Sequence, residues 1–516
     1  MSVPAQRGPH TGDRPVNGRP PGQPAPGRPA SRPDVVVAVD VGTSAVKALV
    51  VDSEGRVLGR GSAPIGTDRP RPGHVEQSAA QWWQATAAAL AACGPARSRA
   101  GAFAVTGQMQ DLVCVGETDA VRPAILYSDT RAVAEYAELT DELGPEWADR
   151  IDNEPDATTL PGKLLWLRRH EPAALKATRH VLAGAGGYVV WRATGVAACD
   201  LTTAGTTGLL DARRRTWWPP AAGDIELPAL TSGDTVTGRL RTAEATELGL
   251  SPGIPVVLCP GDAAATTIGL VGHEPGRAYA SLGTSGWLAS IVRDGHRPPA
   301  AHRLPLPRAG HTLLVGAVAA AGSAADWARR TVLGGVSWAE ADAAASACGP
   351  SGLLALPSLA GERFPLRDPD ARATLLGMTA TTTAPQMYRA VLESVAFAFA
   401  TLLPPGRDPL PLCGEAGLSP VWARILADVT DRPVLPLTAG QSETAAAHGA
   451  VRTAFAALGV VPPAPLAGQA SGPAVEPGPD SETYQRLRTA YAVLWKTAPA
   501  VFHALSHARP WSNPCA

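Results

Sequence analysis

The segment Asp40 to Val51, DVGTSAVKALVV, recurs as SLGTSGWLASIV at Ser281 to Val292, with Gly-Thr-Ser at matching places. A chain built this way is expected to contain two similarly constructed halves that face each other. Each copy reads as a β-hairpin, because an apolar run (VVVAV before the first copy) leads into the Gly-Thr-Ser corner and a second alternating run leaves it. Glycine at such a corner lets backbone approach a ligand. Hydroxyls and N–H groups there can donate to phosphate oxygens, and Asp40 can face a metal ion. The second copy has Ser281 in place of Asp40, which suits one nucleotide held between two corners with the acid on one side only. Gly-Thr-Ser alone is a common turn; two copies in register carry the argument.

At 516 residues the chain exceeds one ordinary core and calls for two large lobes. It is 45% hydrophobic and 18% charged, which is enough apolar material for a packed body. A net charge of −1 with no long basic stripe points away from nucleic acid and anionic membrane, and towards a small-molecule partner. The seven cysteines are scattered without a CxxC pair or a His-Cys cluster, so reduced thiols in a cytoplasmic protein are expected, without zinc. Residues 1–33 are rich in Pro, Gly and Arg and lack an apolar stretch, the pattern of a flexible tail rather than a signal peptide. Apolar runs elsewhere are interrupted before membrane-spanning length.

From Asp34 onward, strand-like runs alternate with helical patterns, which indicates an α/β architecture. GAFAVTGQMQDLVCV, Gly101 to Val115, reads as two strands around a polar loop. Ser78 and Gln81 form a capping-box pattern ahead of a helix in which Trp82 and Trp83 are packing residues. The strand IPVVLCPG ends at Gly261, and Asp262 opens a helix. Thr383, Pro385 and Gln386 start a long helix whose Met387, Val391, Val395 and Phe399 form an apolar stripe. Ser419 and Pro420 mark a helix start immediately after the loop CGEAG. Residues 461–480 read as a surface loop before a final amphipathic helix near Tyr484 to Leu505.

This pattern resembles the FGGY family of carbohydrate kinases, and within it the xylulokinase-like members, from Val35 to Leu505. Gly377-Met378, Gln386-Met387 and Ala390-Val391-Leu392-Glu393 fit the family's second signature. VDVGTSAVK, PAILYSDTRA, KLLWLRRH, PGDAAA, SLGTSG, LAGERFPLRDPDAR and CGEAGLSPVWARILADV with ETAAAHGA follow in the family's order. The first signature is half met: Lys163, Leu164, Trp166, Leu167, Arg169 and His170 fit, and the positions before them do not. In the substrate loop GQMQD, Gln110 stands where xylulokinases carry His, which leaves the sugar open.

The resemblance implies two actin-like, ribonuclease-H-like ATPase lobes with an interlobe cleft. They are expected at residues 34–255 and 256–505, flanked by tails at 1–33 and 506–516. It implies ATP and Mg²⁺, and transfer of the γ-phosphate to a sugar hydroxyl, most simply that of D-xylulose. Other pentuloses, polyols or sugar acids are the rivals, and a non-catalytic actin-like regulator is the reading from a different class. Asp262 matches the family's catalytic base; out of context it would be an ordinary helix cap. Asp40, Gly42, Thr43, Ser44 and Lys47 would form the first phosphate corner, with Asp40 on magnesium through water. Lys47 reads equally as a strand face residue.

Gly283, Thr284 and Ser285 would form the second corner, and Gly414, Glu415, Ala416 and Gly417 the adenosine loop. Gln108, Met109, Gln110 and Asp129, with Asp262, are the expected sugar ligands. Asp129 beside Arg131 reads equally as a surface ion pair. Glu362 and Arg363 are read as braces, and His74 lacks ligand spacing. The expected partner is a sugar, with no nucleic acid and no membrane; a homodimer is left open.

Overall fold

The computed structural model describes residues 33–508 except 222, 224, 405, 470 and 471. The expected N-terminal tail, apart from residue 33, lies outside them, as does Cys515. Two six-stranded sheets form the centres of two lobes. In the first, β1 (Val35–Val41), β2 (Ala45–Asp52) and β3 (Val57–Pro64) form an antiparallel meander. Beyond β1, β4 (Ala102–Gly107) and β5 (Pro255–Leu258) run parallel to it. The second sheet repeats this order with β6 (Ala278–Leu282), β7 (Gly286–Arg293) and β8 (His311–Val318) as the meander. Its parallel pair is β9 (Leu410–Cys413) and β10 (Val434–Pro436). A short antiparallel strand closes one edge of each sheet, Gly238–Arg239 on β5 and His302–Pro305 on β8. The sequence repeat therefore maps onto the first hairpin of each lobe.

The repeat is not exact in three dimensions. The first hairpin pairs Val41 with Val46 and leaves a four-residue corner, whereas the second pairs Leu282 with Gly286 and leaves three. Lys47 consequently stands opposite Asp40, and Trp287 opposite Ser281.

β1 is a continuous apolar run because both of its faces are covered. Val35, Val37, Val39 and Val41 join a core with Trp82 and Leu90 of the helix Ala79–Ala92. The alternate residues Val36 and Ala38 pack with Val451 and Phe455 of the helix Ala445–Ala457. That second helix follows β10, a strand of the other lobe. In exchange, the helix Asp262–Val271, which follows β5 of the first lobe, packs Ala264 and Leu270 against Tyr279, Ile291 and Leu313 of the second sheet.

The two exchanged helices cross at a pair of glycines. A Cβ on Gly449 would lie 1.8 Å from the Ala265 carbonyl oxygen, and one on Gly269 would lie 2.0 Å from that of Ala445. Because β5 belongs to the first sheet and Ala445–Ala457 covers it, the division expected at 255/256 does not separate the lobes. The chain passes from one lobe to the other after β5 and returns near its end.

Trp82 and Trp83 are buried, as expected of packing residues. The capping box at Ser78 does not form: Ser78 takes the cap position without a side-chain bond, and Gln81 accepts instead from the Gly66 N–H at 3.3 Å. The box at Thr383 and Gln386 does form. Its helix, Ala384–Ala400, departs from the expected single stripe. Met387 and Val391 are only half-buried, while nearly every residue from Tyr388 to Ala400 is buried, because sheet, neighbouring helices and the final helix surround it. The final helix is longer than expected, Ser481–Ala508. No helix among the described residues is long and apolar enough to cross a membrane.

Candidate active site

Asp40 is the penultimate residue of β1, and its Oδ1 is buried without a hydrogen-bond partner. Burial pushes its carboxyl up to about 6, against the pull of Lys47 on the facing strand. The corner after it closes by a Gly42 N–H bond to the Ala45 carbonyl at 3.1 Å. Thr43 Oγ1 donates to Gln108 Oε1 at 3.0 Å, Gln108 Nε2 donates to Gln77 Oε1 at 2.8 Å, and Gln77 Nε2 donates to the Thr43 carbonyl at 2.7 Å. The loop of amides fixes the corner and engages Gln108, which is buried, on both ends of its amide. Ser44 is exposed at the tip.

Asp262 is the first residue of its helix, and Gly261 holds the cap position, so the helix-cap reading of Asp262 does not apply. Three contacts fix the approach. Thr106 Oγ1 donates to the Pro260 carbonyl at 2.6 Å, Asp200 Oδ1 accepts from the Gly261 N–H at 3.1 Å, and Met109 lies against Gly261. A side chain at Gly261 would meet Met109 Sδ at 2.3 Å and Thr203 Oγ1 at 2.7 Å, so both neighbours would have to move. The carboxyl of Asp262 is pushed up to about 8, first by burial and then by the charges of Asp40, Asp111 and Asp200, although part of its surface stays open. Asp40, Asp111 and Asp200 thus each bear on Asp262.

Asp111 and Asp200 are site residues that the sequence reading does not single out. Asp111 Oδ1 accepts from the Tyr127 N–H at 3.0 Å while its Oδ2 is buried and unpartnered. Lys163, fully buried, compensates it and donates to the Leu126 carbonyl at 2.8 Å; burial raises the acid and lowers the amine. The signal for Asp111 is its place in GQMQD; Asp200 carries none.

Gln110 adopts a left-handed backbone, φ 66°, and its Nε2 donates to Thr158 Oγ1 at 2.9 Å. Its side chain is thus aimed by a neighbouring loop and keeps its carbonyl oxygen available. Asp129 forms the ion pair with the Arg131 guanidinium, at 2.7 Å, buried rather than at the surface, and its carboxylate also accepts from the Val75 N–H at 2.5 Å. Burial alone would raise its pKa, but these donors bring it below the usual carboxylate range.

At the second corner Gly283 N–H bonds to the Ser285 carbonyl at 2.9 Å. The helix Gly322–Thr331 begins against it, with Gly322 N–H donating to the Gly283 carbonyl at 2.9 Å and Ser323 Oγ to the Thr284 carbonyl at 3.0 Å. These bonds occupy the N–H groups of Gly283, Gly322 and Ser323 and tie the corner to the helix start. Beside them lies a cavity of about 850 Å³ whose wall includes Gly283, Thr284, Trp338, Tyr388, Glu415 and Ala416. Of the expected loop, Glu415 and Ala416 line the cavity, whereas Gly414 and Gly417 shape it from behind. Gly414 has φ 87°, and a Cβ there would lie 2.2 Å from the Leu282 carbonyl oxygen. Ser285 is not on the wall. No local pattern points to Trp338, Tyr388 and Ser323, which only the fold brings to this wall.

Residues 35–269 match the N-terminal domain model described as the FGGY family of carbohydrate kinases, and residues 278–458 match the C-terminal domain model of that family. The chain is 32% identical over 459 residues to the xylulose kinase of Klebsiella pneumoniae, covering 83% of this chain and 93% of that one. It is 31% identical to a glycerol kinase of Bordetella parapertussis, over 72% of this chain and 77% of the relative. The crystal structure of xylulose kinase from Rhodospirillum rubrum superposes with a TM-score of 0.80 at 27% identity, over 91% of this chain and all of that one.

Proposed function

The chain belongs to the FGGY family of carbohydrate kinases and is an ATP-dependent sugar kinase; from that premise we propose that its acceptor is D-xylulose, phosphorylated on a primary hydroxyl to D-xylulose 5-phosphate. The observation carrying the mechanism is Asp262, partly open at a helix start and held by the Asp200 and Thr106 contacts. In its ionised form, which gains as pH rises towards about 8, its carboxylate accepts the proton of the attacking hydroxyl, as phosphoryl transfer otherwise relies on alignment and charge stabilisation. Adenosine occupies the 850 Å³ cavity, with the phosphates reaching the Gly-Thr-Ser corners. The unpartnered Asp40 oxygen and the charge that Asp40 adds beside Asp262 suit a divalent cation. Asp40 is the residue that would hold a magnesium ion, which when bound would supply neutralisation of phosphate charge.

Gln110 and Met109 line the sugar side, while Gln108 and Asp129 stand behind it. A sugar acid is the weaker reading, because Lys163 is committed to Asp111 and to backbone carbonyls. Replacing Asp262 with Ala is expected to lower turnover by roughly 10²–10⁴-fold with ATP affinity changed only severalfold. Turnover close to that of the unmodified protein would remove Asp262 from the mechanism. An ADP-release panel of D-xylulose, glycerol and gluconate tests the acceptor, and a clear preference for either of the latter two would overturn D-xylulose.

A further inference from the structure

At the far end of the catalytic helix from Asp262 lies a second cavity, of about 230 Å³. Its wall includes Ile268 of that helix, Arg452 and Thr453 of the crossing helix, Arg308 and His311 of the β8 hairpin, and Asp234 of the first lobe. Arg452 is 8% exposed and, among the described residues, has no carboxylate within 4.0 Å. One of its nitrogens donates to the Pro463 carbonyl, and its Nε is buried without an acceptor. His311 is 5% exposed with Nδ1 unpartnered, and it also borders an adjoining cavity of about 110 Å³ that holds Arg215.

Arg215 donates to the Leu306 carbonyl and likewise has no carboxylate partner among the described residues. The acids around the two cavities are engaged elsewhere or lie at the rim. Asp152 pairs with Arg297 at 2.9 Å, and Asp294 accepts from Thr312 Oγ1 at 2.6 Å, both on the wall of the smaller cavity. At the rim, Glu274 pairs with Arg308 at 3.3 Å and with His273 at 3.4 Å. On the wall of the larger cavity the facing acid is Asp234, and it does not reach Arg452.

A buried guanidinium without a counter-charge is costly, and a planar fork of donors is matched by the oxygens of a phosphate. The volume admits a phosphate together with a short carbon chain. We propose that this cavity binds a small phosphate ester, separate from the catalytic cleft, and that its occupancy biases closure of the lobes. The second part follows from the walls, which come from both exchanged helices and from both lobes. A ligand touching all of them binds open and closed arrangements unequally, and that difference is the coupling. The inference does not depend on which sugar the cleft accepts.

The test is calorimetric titration of the full chain, its cleft saturated with a non-hydrolysable ATP analogue and magnesium, with inorganic phosphate, ribose 5-phosphate and ribose. At least one phosphate probe is expected to bind and ribose is not; binding of ribose 5-phosphate alone identifies an ester, and binding of both identifies the phosphate group as the determinant. Arg452→Gln is expected to abolish this binding, and Arg308→Gln, at the exposed rim, to weaken it about tenfold through loss of a charged hydrogen bond. In the unmodified protein the bound probe is expected to shift the KM for ATP, and in Arg308→Gln to do so only at higher probe concentration. Absence of phosphate binding with the cleft filled, or identical binding in every variant that folds, would overturn the proposal. Should Arg452→Gln fail to fold, Arg308→Gln alone decides between these outcomes.

Discussion

Asp262 carries a proton at neutral pH in the ligand-free cleft, since its carboxyl sits at about 8, and that has a thermodynamic signature. The folded state holds this proton while the unfolded chain releases it near 3.8, so the residue's contribution to stability declines as pH rises between those values. Asp262→Asn removes the effect. The variant is expected to melt several degrees above the unmodified protein at pH 8.5, with a smaller gain at pH 5, as each tenfold difference in proton affinity between the folded and unfolded states is worth about 1.4 kcal/mol. A gain that does not grow with pH would contradict a carboxyl raised by burial and by the acids beside it. Gln110 supplies a second prediction. Held by Thr158, it is expected on replacement by Ala to raise the KM for the sugar about tenfold, one lost hydrogen bond's worth, while the KM for ATP holds steady. Steady-state kinetics with each substrate varied in turn separates the two effects.

Among the elements, the two exchanged helices and the helix Ala384–Ala400 dictate what can be altered. Gly449→Ala would press a methyl group into the Ala265 backbone, and overpacking of this kind costs roughly 1–3 kcal/mol. Both thermal stability and turnover are expected to fall, because the displaced helix is the one that carries Asp262. Glu393, the last residue of the family's second signature, explains that signature physically. It accepts from Arg389 at 2.9 Å, from Tyr484 of the final helix at 2.7 Å, and from the Ser351 N–H at 3.0 Å. Glu393→Ala leaves Arg389 buried and is expected to cost about 3–5 kcal/mol, measured by denaturant unfolding.

The hairpins, the long helix and the corner glycines were legible in the sequence because local patterns determine them. The empty box at Ser78 was not legible, since only the fold brings Gly66 close enough to claim Gln81. For the same reason Asp129 looked like a surface residue: Val75, one of the groups that fill its carboxylate, is 54 positions away.

At the scale of the whole molecule, the lobes are tied by more than the helices. Asn153 Nδ2 donates to the Arg303 carbonyl at 2.8 Å, and Asn153 Oδ1 accepts from the Arg303 N–H at 2.8 Å, a strand-like pairing of a first-lobe side chain with an edge strand of the second lobe. Asn153→Ala is expected to destabilise the protein by roughly 1–3 kcal/mol and to raise ADP release without sugar, since a looser closure excludes water less well. The duplication announced two lobes, but it could not reveal the crossing of helices between them, which no local periodicity encodes. That crossing bears on biosynthesis. As the polypeptide leaves the ribosome, Val36, Ala38, Leu49 and Val51 have no cover until residues 445–457 emerge, nearly four hundred positions later. The nascent first lobe must therefore wait with a naked apolar face, a natural client for a chaperone and a poor candidate for expression by itself.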